Sequence, residues 1–105
     1  MDSRPRWYRR DGTPVDGVAD LVPELDDLVH KRVAVDKVGD VRISTVWLGL
    51  DHAYEGPPMI FETMIFGGKY DEWQWRYSTD AEATEGHTRI VEAIRSGDVL
   101  SDVDE

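Results

Sequence analysis

Asp51 and His52 are the two residues of this chain whose types and adjacency best suit acid–base chemistry. A histidine can take a proton near neutral pH when a carboxylate within hydrogen-bond distance holds its ring. Neighbouring side chains of an extended segment point in opposite directions, so these two do not form such a couple by themselves. A structural role is therefore the first interpretation, with Asp51 bonding loop amides as in an Asx turn and His52 packed at a sheet end. Contact of this loop, Tyr54 included, with a ligand or partner is the alternative.

Glu62 is the second candidate, because it interrupts the nearly apolar run Met59–Phe66. A carboxylate in such a run must be paired, reach the rim of the sheet or be protonated, since an uncompensated buried charge is strongly destabilising. Its natural partner is Arg76 on the neighbouring predicted strand, with Arg42 as the other choice, which predicts a cross-strand ion pair. A ligand-binding or acid–base carboxylate is the alternative interpretation.

His87 and a row of aromatic residues each have a structural and a functional interpretation. His87 falls on the apolar stripe of a predicted helix, where a hydrogen-bonded core histidine is the usual outcome. Trp73, Trp75 and Tyr77 alternate along a predicted strand, so they form either core or an exposed platform that anchors a partner. No two histidines have the spacing of metal ligands and no phosphate-binding glycine motif is present, so neither a metal nor a cofactor is expected.

The elements that position these residues are strands joined by turn residues. Four runs rich in β-branched and aromatic residues predict an antiparallel meander: Arg32–Val38, Val41–Leu48, Met59–Phe66 and Glu72–Tyr77. Gly39-Asp40 has the form of a two-residue type II′ hairpin turn. Because Met59–Phe66 is apolar on both sides, both faces of that strand should be covered, and a homodimer would supply the second cover.

Helical patterns flank the strands on both sides. Val18–Val29 has a helical apolar stripe with Asp20 as its expected N-cap, and a short strand pair about Asp11-Gly12 precedes it. A capping box at Thr79–Glu82 begins a second helix, which stops at Gly97 and packs on the sheet. Its first turn should lie beside the Asp51 loop and receive a carboxylate or phosphate. The fold class expected is α+β in a single domain, 1–105, with a flexible acidic tail at about 98–105.

Composition restricts the classes of function. The chain has 105 residues, no Cys and a formal net charge of −10, although four arginines crowd into its first ten residues. An acidic body repels nucleic acid phosphates and anionic membranes, so neither is an expected partner, although an acidic decoy for a basic partner stays open. The absence of cysteine fits a cytoplasmic protein, and no apolar run reaches the roughly 18 residues of a membrane span.

The chain resembles a family of short uncharacterised proteins of bacteriophages and prophages, mainly of actinobacteria. The strings that carry the resemblance are WYRRDGTPV, STVWLGLDH, GPPMIFETMIFGG and RYST, followed by Gly86-His87, and they cover most of residues 7–95. The resemblance implies a phage origin and action in the host cytoplasm. It supplies no catalytic residues.

Three functions follow as hypotheses. The first is a non-enzymatic binding protein acting on a host protein or defence pathway, which requires an exposed apolar or aromatic patch. The second is a binder of a small, nucleotide-like ligand in a pocket formed by the 49–58 loop, Glu62 and Arg76. The third is a small hydrolase that uses His52 with Asp51 or Glu62. No residue is assigned a catalytic role, and the sequence favours binding over catalysis.

Overall fold

A four-stranded antiparallel sheet forms the centre of the molecule, as the sequence predicts. The structure, a computed structural model, describes residues 5–53 and 55–100. Its strands are β1 (Trp7–Tyr8), β2 (Pro14–Val15), β3 (Arg32–Val38), β4 (Val41–Trp47), β5 (Phe61–Phe66) and β6 (Gln74–Tyr77), and its α-helices are α1 (Val22–Leu25), α2 (Leu28–Lys31) and α3 (Asp80–Ser96). β1 and β2 form a separate two-stranded sheet, and the large sheet has the order β3-β4-β5-β6. The α+β class and the meander are therefore confirmed.

Turn residues set the register of the meander. Gly39 has φ 61°, and Val38 pairs with Val41 across the two-residue turn, as the predicted hairpin requires. The last strand is shorter than the predicted Glu72–Tyr77, because Glu72 has φ 72°. This left-handed conformation interrupts the regular register, which starts at Gln74. Backbone bonds to β5 nevertheless continue before it, because the Glu72 amide donates to the Ile65 carbonyl at 2.8 Å and the Ile65 amide donates to the Trp73 carbonyl at 3.0 Å.

The inner face of the large sheet, the face toward α3, holds the core. Alternate residues of three strands are buried there: Ile43, Thr45, Trp47, Phe61, Thr63, Ile65, Trp75 and Tyr77. Helix α3 covers them with Ala83, Gly86, His87, Ile90 and Val91. Gly86 permits this close packing, since a Cβ at that position would lie 2.4 Å from the Tyr77 hydroxyl oxygen.

The outer face of the same sheet is left open by the described residues. It consists of Arg32, Val35, Lys37, Arg42, Ser44, Val46, Glu62, Met64, Phe66, Gln74 and Arg76, which share rows in the strand register. The second cover expected for Met59–Phe66 is not supplied by the described residues of this chain, where Phe66 is 37% exposed on the outer side. A homodimer as the source of that cover stays a prediction. Strand β5 is central in the sheet, and among the described residues a layer, helix α3, packs on its inner side only.

The predicted helix over Val18–Val29 is divided into three short pieces: a 3₁₀ turn at Val18–Leu21, then α1 and α2. The division falls at Asp27, whose carboxylate accepts hydrogen bonds from the amides of Val29 and His30 and so begins a new helix. Asp20 lies inside the 3₁₀ turn and makes no cap. The apolar stripe in the sequence therefore does not correspond to one continuous helix.

The N-terminal arginines hold separate parts of the fold together. Arg10 donates from Nε to Asp80 at 2.6 Å and from Nη1 to the carbonyl of His30 at 2.8 Å, joining the start of α3 to the end of α2. Arg9 pairs with Glu24 at 2.5 Å. These two cations are therefore neutralised within the molecule. Within the described ranges, no helix is long and apolar enough to cross a membrane.

Candidate functional site

The Asp51 carboxylate closes the loop between β4 and β5. Its Oδ1 accepts hydrogen bonds from the amides of Ala53 at 2.7 Å and Met59 at 3.0 Å. The amide of His52 donates to the carbonyl of Met59 at 3.0 Å, so the two ends of the loop are tied together. The predicted structural role of Asp51, bonding loop amides, is confirmed.

His52 is exposed, and in residues 5–53 and 55–100 no carboxylate pairs with its ring. The expectation that it packs at the sheet end is therefore wrong, because only its backbone is held by the loop closure. An unpaired, solvated imidazole lacks the orienting partner that general-base catalysis requires. Tyr54, the third loop residue predicted to contact a partner, lies outside the described residues.

Glu62 and Arg76 form the predicted cross-strand pair. They are direct partners in the β5–β6 register, and Arg76 Nε lies 3.1 Å from Glu62 Oε2. The side chain of Glu62 is 14% exposed and sits on the outer face, so the carboxylate is stabilised by its neighbour. Trp75 is next to Arg76 in sequence but is buried on the inner face. The sheet therefore brings Glu62 and Arg76 together and separates Trp75 from them.

The start of α3 is already occupied by groups of its own chain. The Glu82 carboxylate accepts from the amides of Ser78 and Thr79, and Thr79 Oγ1 accepts from the Glu82 amide at 3.1 Å. The capping box is thus confirmed. The expected anion site is not formed here, since Asp80 and Glu82 add negative charge at the first turn. The adjacent groove, about 320 Å³, places Arg76 and Arg89 beside Glu82 and Glu85 and has little net charge.

A chain of four polar side chains crosses the core between the sheet and α3. Thr63 Oγ1 lies 2.5 Å from Thr45 Oγ1, Thr45 Oγ1 lies 2.7 Å from His87 Nδ1, and His87 Nε2 lies 2.8 Å from Asp36 Oδ2. With the Nε2 proton donated to the Asp36 carboxylate, Nδ1 accepts the proton of the Thr45 hydroxyl. His87 is therefore a hydrogen-bonded core histidine, as predicted.

This chain of groups has the composition of a nucleophile–histidine–carboxylate triad, but not its accessibility. Thr45 and Thr63 are 0% exposed, so no substrate atom can approach either hydroxyl. Sequence reasoning found His87 and missed its three partners. The available signal was a threonine at an inner-facing position of each central strand, and the register pairs the two directly.

The outer face has a charge that differs from that of the whole chain. It holds four of the twelve Lys and Arg residues and only one of the 22 Asp and Glu residues. The sole carboxylate, Glu62, is neutralised by Arg76. Sequence reasoning missed this cationic surface because its members come from different strands and become neighbours only through the register.

Apolar groups lie beside these cations. Val35 is 40% exposed and Phe66 is 37% exposed, and the guanidinium of Arg42 lies 4.4 Å from the centre of the Phe66 ring. A groove of about 250 Å³ follows β4 across this face and extends to α2. It is lined by Leu28, Lys31, Arg32, Arg42, Ser44, Val46 and Leu48.

The fold and these sites define an α+β domain in which α3 covers one sheet face and the described residues leave the other face open. No group of three or more His, Asp or Glu residues in the described part of the chain is arranged to hold a metal ion. No known family model, curated protein or solved structure matches the chain.

Proposed function

We propose that this chain is a non-enzymatic binding protein that docks a partner protein on the outer face of its sheet. One observation carries the proposal: a four-stranded sheet has a complete core on one side and exposed apolar side chains on the other. Exposed apolar groups grouped on one surface of a small protein are typical of interaction sites.

The catalytic alternative has less support. The histidine with a hydroxyl and a carboxylate at hydrogen-bond distance, His87, is buried in the core. The exposed histidine, His52, has no carboxylate paired with its ring among the residues that the structure describes. The resemblance to phage proteins supports a partner from the host cell, such as a component of a defence pathway, and action in the host cytoplasm.

The experiment compares two valine-to-serine variants in affinity capture from an actinobacterial lysate. Val35→Ser changes the outer face, whereas Val99→Ser makes the same change at a residue that is 84% exposed and lies beyond α3. We expect a protein that the unmodified chain and Val99→Ser capture equally and that Val35→Ser captures several-fold less. Equal capture by all three chains, or no specific capture, would contradict the proposal.

A further inference from the structure

The outer face is cationic on an acidic protein. Arg32, Lys37, Arg42 and Arg76 give it four positive charges against the single carboxylate of Glu62, a net charge of +3 on a chain of −10. The acids that dominate the chain are therefore concentrated elsewhere. A local concentration of cations on such a body selects partners by charge.

Two of these cations are neighbours that no carboxylate of the described residues neutralises. Lys37 and Arg42 are direct cross-strand partners in the β3–β4 register, where like charges are destabilising. In the described residues neither side chain has a carboxylate within ion-pair distance, and the same holds for Arg32. Counter-charges supplied by a bound partner would relieve this repulsion.

The cations lie at two ends of the groove, and the row between them alternates apolar and polar side chains: Val35, Ser44, Met64 and Gln74. Arg42 and Val46 are four residues apart on β4, which is about 13 Å along a strand, and Arg32 is the cross-strand partner of Val46. Between these ends lie Val35 and Ser44, and the groove follows β4 past them. An extended segment in this groove would place carboxylates four positions apart at the two ends, with an apolar residue midway.

A nucleic acid matches this face less well. A nucleic acid strand carries phosphates at regular intervals, and those beyond the edge of the outer face would lie near acidic side chains. The residues outside this face have a net charge of −13, so they would repel those phosphates. The face offers one aromatic ring, Phe66, and Arg42 lies over it, so it has no series of rings for stacked bases. A short protein segment can have its acidic residues only where it contacts the outer face, so it avoids this repulsion. It also needs no series of aromatic rings.

A second copy of the chain also matches poorly. A two-fold interface places the same surface on both subunits, so it would oppose +3 with +3. The repulsion between Lys37 and Arg42 would be increased and not relieved.

From this charge arrangement we propose that the outer face binds an extended acidic and apolar protein segment with carboxylates at the two cationic ends of the β4 groove. The proposal rests on the proposed function, because it names the chemistry of the partner that the face docks. Lys37 and Arg42 bind one carboxylate end, and Arg32 binds the other.

The test is a selection from random 12-residue peptides displayed on yeast, with the intact chain as the soluble target. Peptides selected by the unmodified chain should be enriched in Asp and Glu, with acidic pairs four residues apart. Their affinities are then measured by fluorescence anisotropy for two double variants of equal charge change. Lys37→Gln with Arg42→Gln alters the face, and Lys69→Gln with Arg95→Gln alters exposed residues away from it.

The face variant should bind the selected peptides about tenfold more weakly, which corresponds to about 1.4 kcal/mol, while the control variant should bind them unchanged. The proposal fails if no peptide is selected, if the selected peptides have no excess of acids, or if both variants bind equally. It also fails if a 12-nucleotide oligothymidylate binds more tightly than the best peptide at the same salt concentration. A dimer that Val35→Asp dissociates would identify a second copy as the occupant.

The capture experiment separates this proposal from the function on which it rests. If Val35→Ser loses the captured protein while the Lys37→Gln and Arg42→Gln variant retains it, the face docks a partner but the partner is not acidic. If all these chains capture the protein equally, the face is not the docking surface and both proposals fail.

Discussion

The two faces of the central sheet are built from alternate residues of the same strands, yet their polar groups have opposite environments. On the inner face, Thr45 and Thr63 bond each other and His87, which bonds Asp36. On the outer face, Lys37 and Arg42 oppose each other without a carboxylate in the described part of the chain. Polar groups that satisfy one another stabilise a fold, whereas polar groups without internal partners are available to bind another molecule.

This contrast predicts that inner-face substitutions change stability and that outer-face substitutions change binding. The largest loss of stability is expected for His87→Leu. It leaves the Thr45 hydroxyl without its acceptor and separates Asp36 from the core, at a cost of about 2–4 kcal/mol. Urea unfolding measures the change, with the exposed neighbour Thr88→Ala as control. Equal midpoints for the two variants would contradict the assigned role of the polar chain.

Gly86→Ala should be the next most destabilising substitution, although alanine is the better helix former. The added Cβ would lie 2.4 Å from the hydroxyl oxygen and 2.5 Å from ring atoms of Tyr77, which is buried. Overpacking should exceed the propensity gain and lower the unfolding free energy by about 2 kcal/mol. Glu85→Ala, one position earlier on the exposed side of α3, should change it by less than about 0.5 kcal/mol. A stabilised Gly86→Ala chain would show that α3 does not pack this closely on β6.

Thr63→Val should have a smaller effect, because it removes only the end of the polar chain. Thr45 can still donate to His87, so the expected loss is about 1 kcal/mol. The same unfolding experiment measures it. A loss as large as that of His87→Leu would mean that the four groups cannot be treated as a chain with a dispensable end.

The sequence predicted the sheet well because its signals are local. Alternation along each strand and the Gly39 turn define the meander, and the meander places Glu62 beside Arg76, so this pair could be predicted in advance. The broken helix could not be predicted in the same way. Its apolar stripe runs past Asp27, and whether that carboxylate caps a new helix depends on tertiary contacts.

The binding surface was missed for a different reason. The run Met59–Phe66 suggests cover on both sides, although its outward residues Glu62, Met64 and Phe66 meet no second layer among the described residues. Whether a second layer packs on an apolar strand depends on the whole fold, and the sequence of that strand alone does not predict it. The cationic cluster likewise depends on the register between β3 and β4.

The ion pair between Glu62 and Arg76 should contribute little to stability, since the Arg76 side chain is 39% exposed. A double-mutant cycle with Glu62→Gln and Arg76→Gln should give a coupling of about 0.2–1 kcal/mol that decreases in high salt. A coupling free energy well above this range would mean that the ion pair stabilises the fold as the polar groups of the core do. That result would contradict the distinction between the two faces.

The smallest effect on stability is expected for Lys37→Gln with Arg42→Gln. Removing two opposed cations relieves repulsion, so the unfolding free energy should stay within about 0.5 kcal/mol of the unmodified chain or rise slightly. Thermal unfolding at low salt is the most sensitive check. A marked loss would mean that these side chains hold the fold and are not reserved for binding.

The most direct test of the difference between the faces uses the absence of cysteine from the chain. Met64→Cys and Ile65→Cys place a single thiol on opposite faces of β5, and maleimide labelling of the native protein measures the exposure of each. We predict rapid labelling at position 64, unchanged with protein concentration and blocked by the captured partner, and slow labelling at position 65. Equal labelling of both positions, or protection of position 64 without a partner, would contradict an open outer face.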